Sequence, residues 1–421
     1  MCQVPPTLTN LHPLVVPCKF AACMDNEAEI LLKILFAATG LLHLPHQLKK
    51  MQNLFTEFPP VSKAEWLEKI KKDLKGKAPS DFDWQVAEGQ SVSAFPHLDD
   101  LGGSLPHPIS EGRNDWQICE DIHVGNDEEA NKMALRALEG GAEALRFVLT
   151  REPDFGVLLA GVDLSIVSTH FLVKKTGTIQ DQHEIVNLLR NFVAHVDTNA
   201  FDAAKINGTL NSSVSPTSAD ELLRFALQHL PSFKVLPVNG ADFFQTEDKT
   251  AEELTQINNE IYYWLATLAT SGFSAMDICR NLHFTVAIGK NYFLQIAKLR
   301  ALRQRWAFIQ QNAGVTNPQP AFICAFLPLS QQSPDANTNL IQATTQAMSA
   351  VIGGVDVLTV LPSDITGEET MPTDFSLRMA RNVQHILKME SHFDWVADPA
   401  AGSYFIENLT EKLLEGMRDE G

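Results

Sequence analysis

Three arginines crowd one short stretch of the chain, Arg300, Arg303 and Arg305, beside Trp306. Guanidinium groups grip phosphates in a bidentate fork, so one chemistry to weigh is recognition of a phosphorylated ligand. On a helix, spacings of three and two spread these side chains over more than one face, and packing with helix-end ion pairs is the simpler use. Gly353-Gly354, ahead of an apolar run, offers N–H groups that could cradle a phosphate; a tight helix-to-strand turn needs the same glycines and is the safer reading. Asp398-Pro399-Ala400-Ala401-Gly402-Ser403 reads as a loop that caps the helix after it. No Ser, His and Asp, or Cys and His, stand in an arrangement that names a nucleophile. Of the six cysteines, Cys2, Cys18 and Cys23 lie near the start, and Cys119, Cys279 and Cys324 are far apart with no CxxC pair. Neither a metal site nor a disulfide framework is expected.

The elements that must carry these residues follow from periodicity. Short β-rich runs alternate with longer helical ones from about residue 115, which is the pattern of βα units and a parallel sheet. The strand candidates are 116–123, 144–149, 163–172, 205–211, 233–238, 282–288, 322–329 and 355–361. Helical periodicity occupies 128–138, 182–194, 219–230, 251–270, 292–311, 337–352 and 375–389. Eight strands with helices between most of them make a TIM-type (β/α)8 barrel the leading architecture, ahead of a doubly wound sheet. Function in such a barrel sits at the C-terminal strand ends. Bulky groups in several strands (Phe147, Val148, Leu149, Val235, Leu236, Phe326, Leu327, Leu358, Val360) predict a packed interior without an open tunnel.

The 421 residues suffice for two domains or one large barrel with an extension. An apolar fraction of 45% with 20% charged residues is that of a globular chain. A formal charge of −18 repels phosphate backbones and anionic lipid, so neither nucleic acid nor membrane is expected as a partner. The basic run 69–77 is read as the wet face of a short helix. No apolar run is long enough to span a bilayer and no signal peptide is evident, so the expected compartment is the cytoplasm. Residues 1–50 lack a clean helical period and read either as a loosely held extension or as an upstream start assignment, Met51 being the alternative start. Residues 51–114 form an N-terminal arm, and 115–421 the barrel.

The last third carries the most specific phrases: AKLRALRQRWA from Ala297, AVIGG from Ala350, RMARNVQ from Arg378 and DPAAGSYFIE from Asp398. In this order they resemble the barrel domain of the methylmalonyl-CoA mutase family, the adenosylcobalamin-dependent acyl-CoA mutases. Trp66, Gly76, Trp84, Glu88 and Gly89 resemble the arm before that barrel, so the resemblance runs from about Ser62 to the end. It implies a TIM-type barrel with an N-terminal arm, and a C-terminal cobalamin-binding domain that is absent here. Active members place a Gly-Tyr-His phrase after the fifth strand, the Tyr against the adenosyl group and the His on the thioester carbonyl. The matching phrase here is VNGADFFQTEDKTAEELT, which puts Ala241 and Asp242 at those positions. Alanine has no ring, and an ionised aspartate only accepts hydrogen bonds.

Other family positions change with them: Asn211 replaces a Gln, Gln342 replaces an Arg, and Thr359 falls within 357–361, where the family's His-containing phrase follows its AVLGG phrase. Asp121-Ile122-His123-Val124-Gly125-Asn126 is a near miss of the cobalamin motif D-x-H-x-x-G, with its Gly one place early. His123 is read as an ordinary strand or loop residue. The resemblance therefore implies a small subunit of a heterodimeric methylmalonyl-CoA mutase, structural in role and without catalytic, cofactor-binding or metal residues of its own. Adenosylcobalamin in the complex would be bound by the large catalytic subunit, which interconverts methylmalonyl-CoA and succinyl-CoA. Whether this chain is itself an enzyme stays open. Two alternatives stand beside this reading: an active barrel working with a separate cobalamin-domain chain, and a stand-alone CoA-ester binding protein that takes an acyl-CoA.

Overall fold

The computed structural model describes residues 61–87, 90–101, 113–174, 182–367 and 370–417. The proposed extension 1–50 and Met51 lie outside the described residues. The chain divides at Lys69 and Ile70 into two compact units. The first is described only from Val61, where Ser62 and Glu65 exchange hydrogen bonds at the start of the helix Lys63–Asp73. No residue of that helix is buried, in keeping with a wet basic face.

The second unit opens with an antiparallel hairpin of β1 (Trp84–Ala87) and β2 (Gln90–Val92), and Trp84 stacks on Phe405 of the helix Tyr404–Gly416. Nine further strands follow: β3 (Gln117–Val124), β4 (Ala144–Leu149), β5 (Ser168–Val173), β6 (Gly208–Asn211), β7 (Phe233–Lys234), β8 (Leu236–Val238), β9 (Leu282–Ala287), β10 (Ile323–Phe326) and β11 (Val357–Thr359). They pair in parallel in the order β7-β6-β5-β4-β3-β11-β10-β9-β8. β7 and β8 are two halves of one run, 233–238, interrupted at Val235. The first half pairs with β6 and the second with β9. Counted as one strand, they close the ring with eight members, the TIM-type count.

Helices follow most strands, and several open on a polar cap written in the sequence. Asn126 accepts from Glu129 N, Ser215 from Ser218 N, Asn291 from Leu294 N and Thr373 from Ser376 N. The β4–β5 crossover differs, since it carries only the four-residue helix Phe155–Leu158.

Strand alternation sorts the side chains into two environments. Leu145, Phe147 and Leu149 of β4, Phe171 of β5, Phe284 of β9 and Leu358 of β11 join the main apolar core between sheet and helices. The other face looks into the bore, where Cys119, Ala144, Cys324 and Val357 form a small separate cluster with Phe322 against it. Most of the bulky groups expected to fill the bore thus lie outside it: Phe147, Leu149, Val235, Leu236, Leu327, Leu358 and Val360 belong to the outer core. The bore is filled by other, mostly polar, side chains. Among the described residues no helix is long and apolar enough to cross a membrane.

Candidate functional site

The C-terminal strand ends gather four of the positions singled out in the sequence. Asn211 is the last residue of β6 and Thr359 the last of β11. Ala241 and Asp242 sit in the helical turn Gly240–Phe243 directly after β8. Ala241 is half-buried and Asp242 exposed. Thr359 is buried beside its register partner Cys119, whose thiol pKa burial pushes up to about 12. Gln342 belongs to the helix Ala336–Ile352, which follows β10 and starts at the same end of the barrel. Its Oε1 is buried without a hydrogen-bond partner, while Gln346, one turn on, donates to the Ile288 carbonyl at 2.7 Å. His123 is exposed in β3, one residue before its end. After it, Arg151 closes the turn by donating to the Gly125 carbonyl at 3.2 Å and pairing with Asp127 at 2.7 Å.

Beneath these positions, five inward residues share one register row across adjacent strands: Asp121, Arg146, His170, Thr209 and Lys234. Arg146 makes a bidentate pair with Asp121, both contacts at 2.7 Å, and its guanidinium lies 4.9 Å from the Phe326 ring centroid. Burial works against the Arg146 charge, yet Asp121 outweighs it and raises the pKa. His170 Nδ1 lies 3.0 Å from Thr209 Oγ1, and its ring stacks on Phe322. Burial, then Arg146, lowers the His170 pKa to about 3, and burial also holds His283 well below its usual value. Both imidazoles are therefore neutral at pH 7. His170 Nε2 and both ring nitrogens of His283 have no hydrogen-bond partner.

Among these bore residues only Phe326, and Asp121 as part of the near-miss motif, drew attention in the sequence. The available signal was a lone Arg in ALRFVL and a His in each of STHFLV and LHFTVA, polar groups inside strands that otherwise read as fully buried. The outlet for that signal was the two-residue period, which sends them to the face opposite Phe147, Phe171 and Phe284.

The arginine group is dispersed. Arg300, fully buried, pairs with both Asp398 and Glu407, the latter at 2.6 Å. Arg303 donates to the carbonyls of Gly354 and Ala321 and to Asp356. Arg305 donates to Asn258 Oδ1 at 2.7 Å. Each guanidinium thus serves a different seam, as ion pairing and packing predict. Lys298 on the same helix is fully buried against Glu253 at 3.0 Å and the Ala287 carbonyl at 2.7 Å. The Gly353-Gly354 turn is steric: a Cβ on Gly353 would stand 2.5 Å from Leu299, and Gly354 has φ +84°. The Asp398–Ser403 loop caps differently from expectation. Ser403 makes no side-chain cap bond; Asp398 is instead committed to Arg300, and Glu407 accepts from Gly402 N.

A cleft of about 860 Å³ lies elsewhere, lined by Asp154, Phe155, Gly161, Asn191, His195 and Phe201 among others. It opens where the short β4–β5 crossover leaves the helical layer thin, and none of the strand-end positions lines it. Among the described residues no three His, Cys, Asp or Glu stand together to hold a metal.

With this geometry in place, likeness to known proteins can be assigned. Residues 153–420 match the family model described as methylmalonyl-CoA mutase. The chain belongs to the methylmalonyl-CoA mutase family. A Porphyromonas gingivalis protein named "Methylmalonyl-CoA mutase small subunit" is 34% identical over 399 residues, covering 87% of this chain and 63% of that one. A Cereibacter sphaeroides "Methylmalonyl-CoA mutase" is 25% identical over 402 residues, covering 83% and 56%. A Mycobacterium tuberculosis "Probable methylmalonyl-CoA mutase small subunit" is 29% identical over 364 residues, covering 79% and 58%. The chain thus spans less than two thirds of the length of these relatives. The family uses adenosylcobalamin.

Proposed function

We propose that this chain is the small, structural subunit of a heterodimeric adenosylcobalamin-dependent methylmalonyl-CoA mutase. Its large partner would interconvert methylmalonyl-CoA and succinyl-CoA. The observation that carries the reading is the helical turn after β8, which holds Ala241 half-buried and Asp242 exposed where the resemblance aligns the family's Tyr and His. A donor to the thioester carbonyl is missing there, and an ionised carboxylate repels an anionic acyl group. The bore supports the same conclusion. Arg146 with Asp121, Phe326, Phe322, His170 and His283 occupies the space that an extended thioester arm would need.

The residues present do not fit a corrin. His123 stands one residue before the end of a barrel strand as a single exposed imidazole, its turn is closed by Arg151, and the bore beneath it is taken by the Arg146–Asp121 pair. Adenosylcobalamin is assigned to the partner subunit, where it would supply the radical chemistry, and no step is assigned to this chain. The relatives named as small subunits favour the two-chain arrangement.

The test is succinyl-CoA formation from methylmalonyl-CoA with adenosylcobalamin, using the chain alone and then with a large-subunit protein. The chain alone is expected to match a no-protein control, and the mixture to turn over. Turnover by the chain alone overturns the assignment.

A further inference from the structure

We propose that the outer face of the last barrel helix, with the turn after it, is the surface on which this chain docks the barrel of its large partner subunit; the inference rests on the heterodimer reading above. The helix Asp374–His385 continues directly into a π-helical turn, Ile386–Glu390. Its inner face is fully used. Ala380, Val383 and Leu387 are buried, Arg381 pairs with Glu120, and Lys388 donates to the Trp116 carbonyl at 2.7 Å. A helix on a barrel surface ordinarily turns polar residues outward. Here Phe375, Ile386 and Met389 are 60%, 55% and 61% exposed. A spacing of 11 residues brings Phe375 and Ile386 round to one side of the α-helix, and Met389 follows in the π-helical turn. Met371 before the helix, and Trp395 and Val396 after it, are 75%, 61% and 56% exposed.

The turn that presents Trp395 is anchored. Ser391 N donates to Ile386 O, Phe393 N to Leu387 O, and the buried Asp394 pairs with Arg113 at 2.6 Å. His392, at φ +54°, stacks on the indole at 4.2 Å. A large aromatic held outward on a fixed turn has already given up its conformational freedom, which is what a binding anchor requires. Because Asn114 N bonds Asp394 O beside the start of β3, the stripe runs from the C-terminal end of the strands to the N-terminal end.

Area and charge select the occupant. Phe375 and Trp395 are aromatics that bury about 150–250 Å² each, and with the four aliphatic side chains the six present several hundred Å² at these exposures. That is comparable with the ~300–600 Å² of the largest patch on an ordinary monomer, which is often functional, and is a large part of the ~800 Å² per partner of a stable complex. A second copy would oppose two chains of −18 each, which disfavours self-pairing. The fitting partner is a different protein chain with an apolar helical face, its rim bearing a carboxylate to meet Arg378, which lies 5.7 Å from the Phe375 ring centroid.

The experiment is sedimentation and titration of the full chain with a large-subunit protein, comparing wild type with the double variant Ile386→Glu, Trp395→Glu. Both sites are exposed, so the melting temperature should hold, while affinity should fall at least ~100-fold, the loss expected of two central anchors. Ile166→Glu, at a 77% exposed site on the β4–β5 crossover, should leave affinity unchanged. If the glutamates impair folding, Ile386→Ala with Trp395→Ala should still weaken binding ~10-fold or more. Wild type and folded double variant binding equally overturns the docking surface and leaves the heterodimer reading standing. No binding by wild type overturns both. A wild-type homodimer that the double variant dissociates makes a second copy the occupant and overturns the proposal.

Discussion

Arg300 illustrates how far single residues can be read. Its spacing from Arg303 and Arg305 indicated several faces, hence ion pairs over a phosphate patch. The partners themselves were out of reach, because Asp398 and Glu407 are 98 and 107 positions away. With all three groups buried, removing the cation leaves two carboxylates uncompensated, which costs about 3–5 kcal/mol. Arg300→Met should therefore lower the urea midpoint sharply. Arg300→Lys should lose less, since it keeps a charge but not the two-handed fork. A midpoint unchanged by Arg300→Met would mean that the triad contributes nothing to the fold. At the strand ends, topology places Asn211, Ala241, Asp242 and Thr359 at one end of the barrel. The exposure of Asp242 was not legible, because burial depends on the packing around the turn.

At the scale of elements, period and caps located the strands to within a few residues, and the run 233–238 was recognised as one unit although it pairs on both sides in two halves. What failed was facing. Counting bulky residues ignores the alternation that sends Phe147 outward and Arg146 inward. The consequence is a bore holding neutral histidines, and it gives a pH prediction. In the folded chain burial keeps His170 and His283 unprotonated, whereas in the unfolded chain they take a proton near pH 6.5. The unfolded state then binds more protons below pH 6.5, so the stabilisation is complete above that value and is lost as pH falls towards about 3 for His170. His170 contributes roughly 1.4 kcal/mol per pH unit in that range, or about 2 kcal/mol between pH 6.5 and 5, and His283 acts in the same direction. His170 is faced by Thr209, Phe322 and Arg146, and His283 by Lys234 and His170. Glu253 and Glu120, whose pKa values burial raises, work in the opposite direction. The informative comparison is therefore with a His170→Gln, His283→Gln variant, whose stability should fall less between pH 7.5 and 5. Equal slopes for the two proteins would contradict neutral burial of the imidazoles.

For the whole molecule, the closed eight-membered ring was the leading expectation from the count of βα units, and the family was legible in phrases from the last third. The partner-facing stripe was not singled out, because an apolar residue on a helix looks the same whether it faces the core or the solvent until the fold assigns its side. Residues 1–50 were read as separable from the barrel. A chain starting at Met51 should then melt within ~2–4 °C of the full chain, the shift that ~1 kcal/mol produces in a domain of this size. Failure of the shorter chain to fold would make the extension structural.

The central claim is that this chain contributes no catalytic group to a two-chain mutase. Inactivity of the chain alone agrees with it but would also follow from a missing partner, so the sharper measurement is made in the assembled pair. Asn211→Ala, Asp242→Ala and Gln342→Ala, combined in this subunit and reconstituted with a wild-type large subunit, should leave kcat for succinyl-CoA formation within about twofold of the wild-type pair, a difference under ~0.5 kcal/mol in barrier. A fall of a hundredfold or more, with the pair still assembled, would show that these positions act on the substrate and would contradict the structural-subunit account.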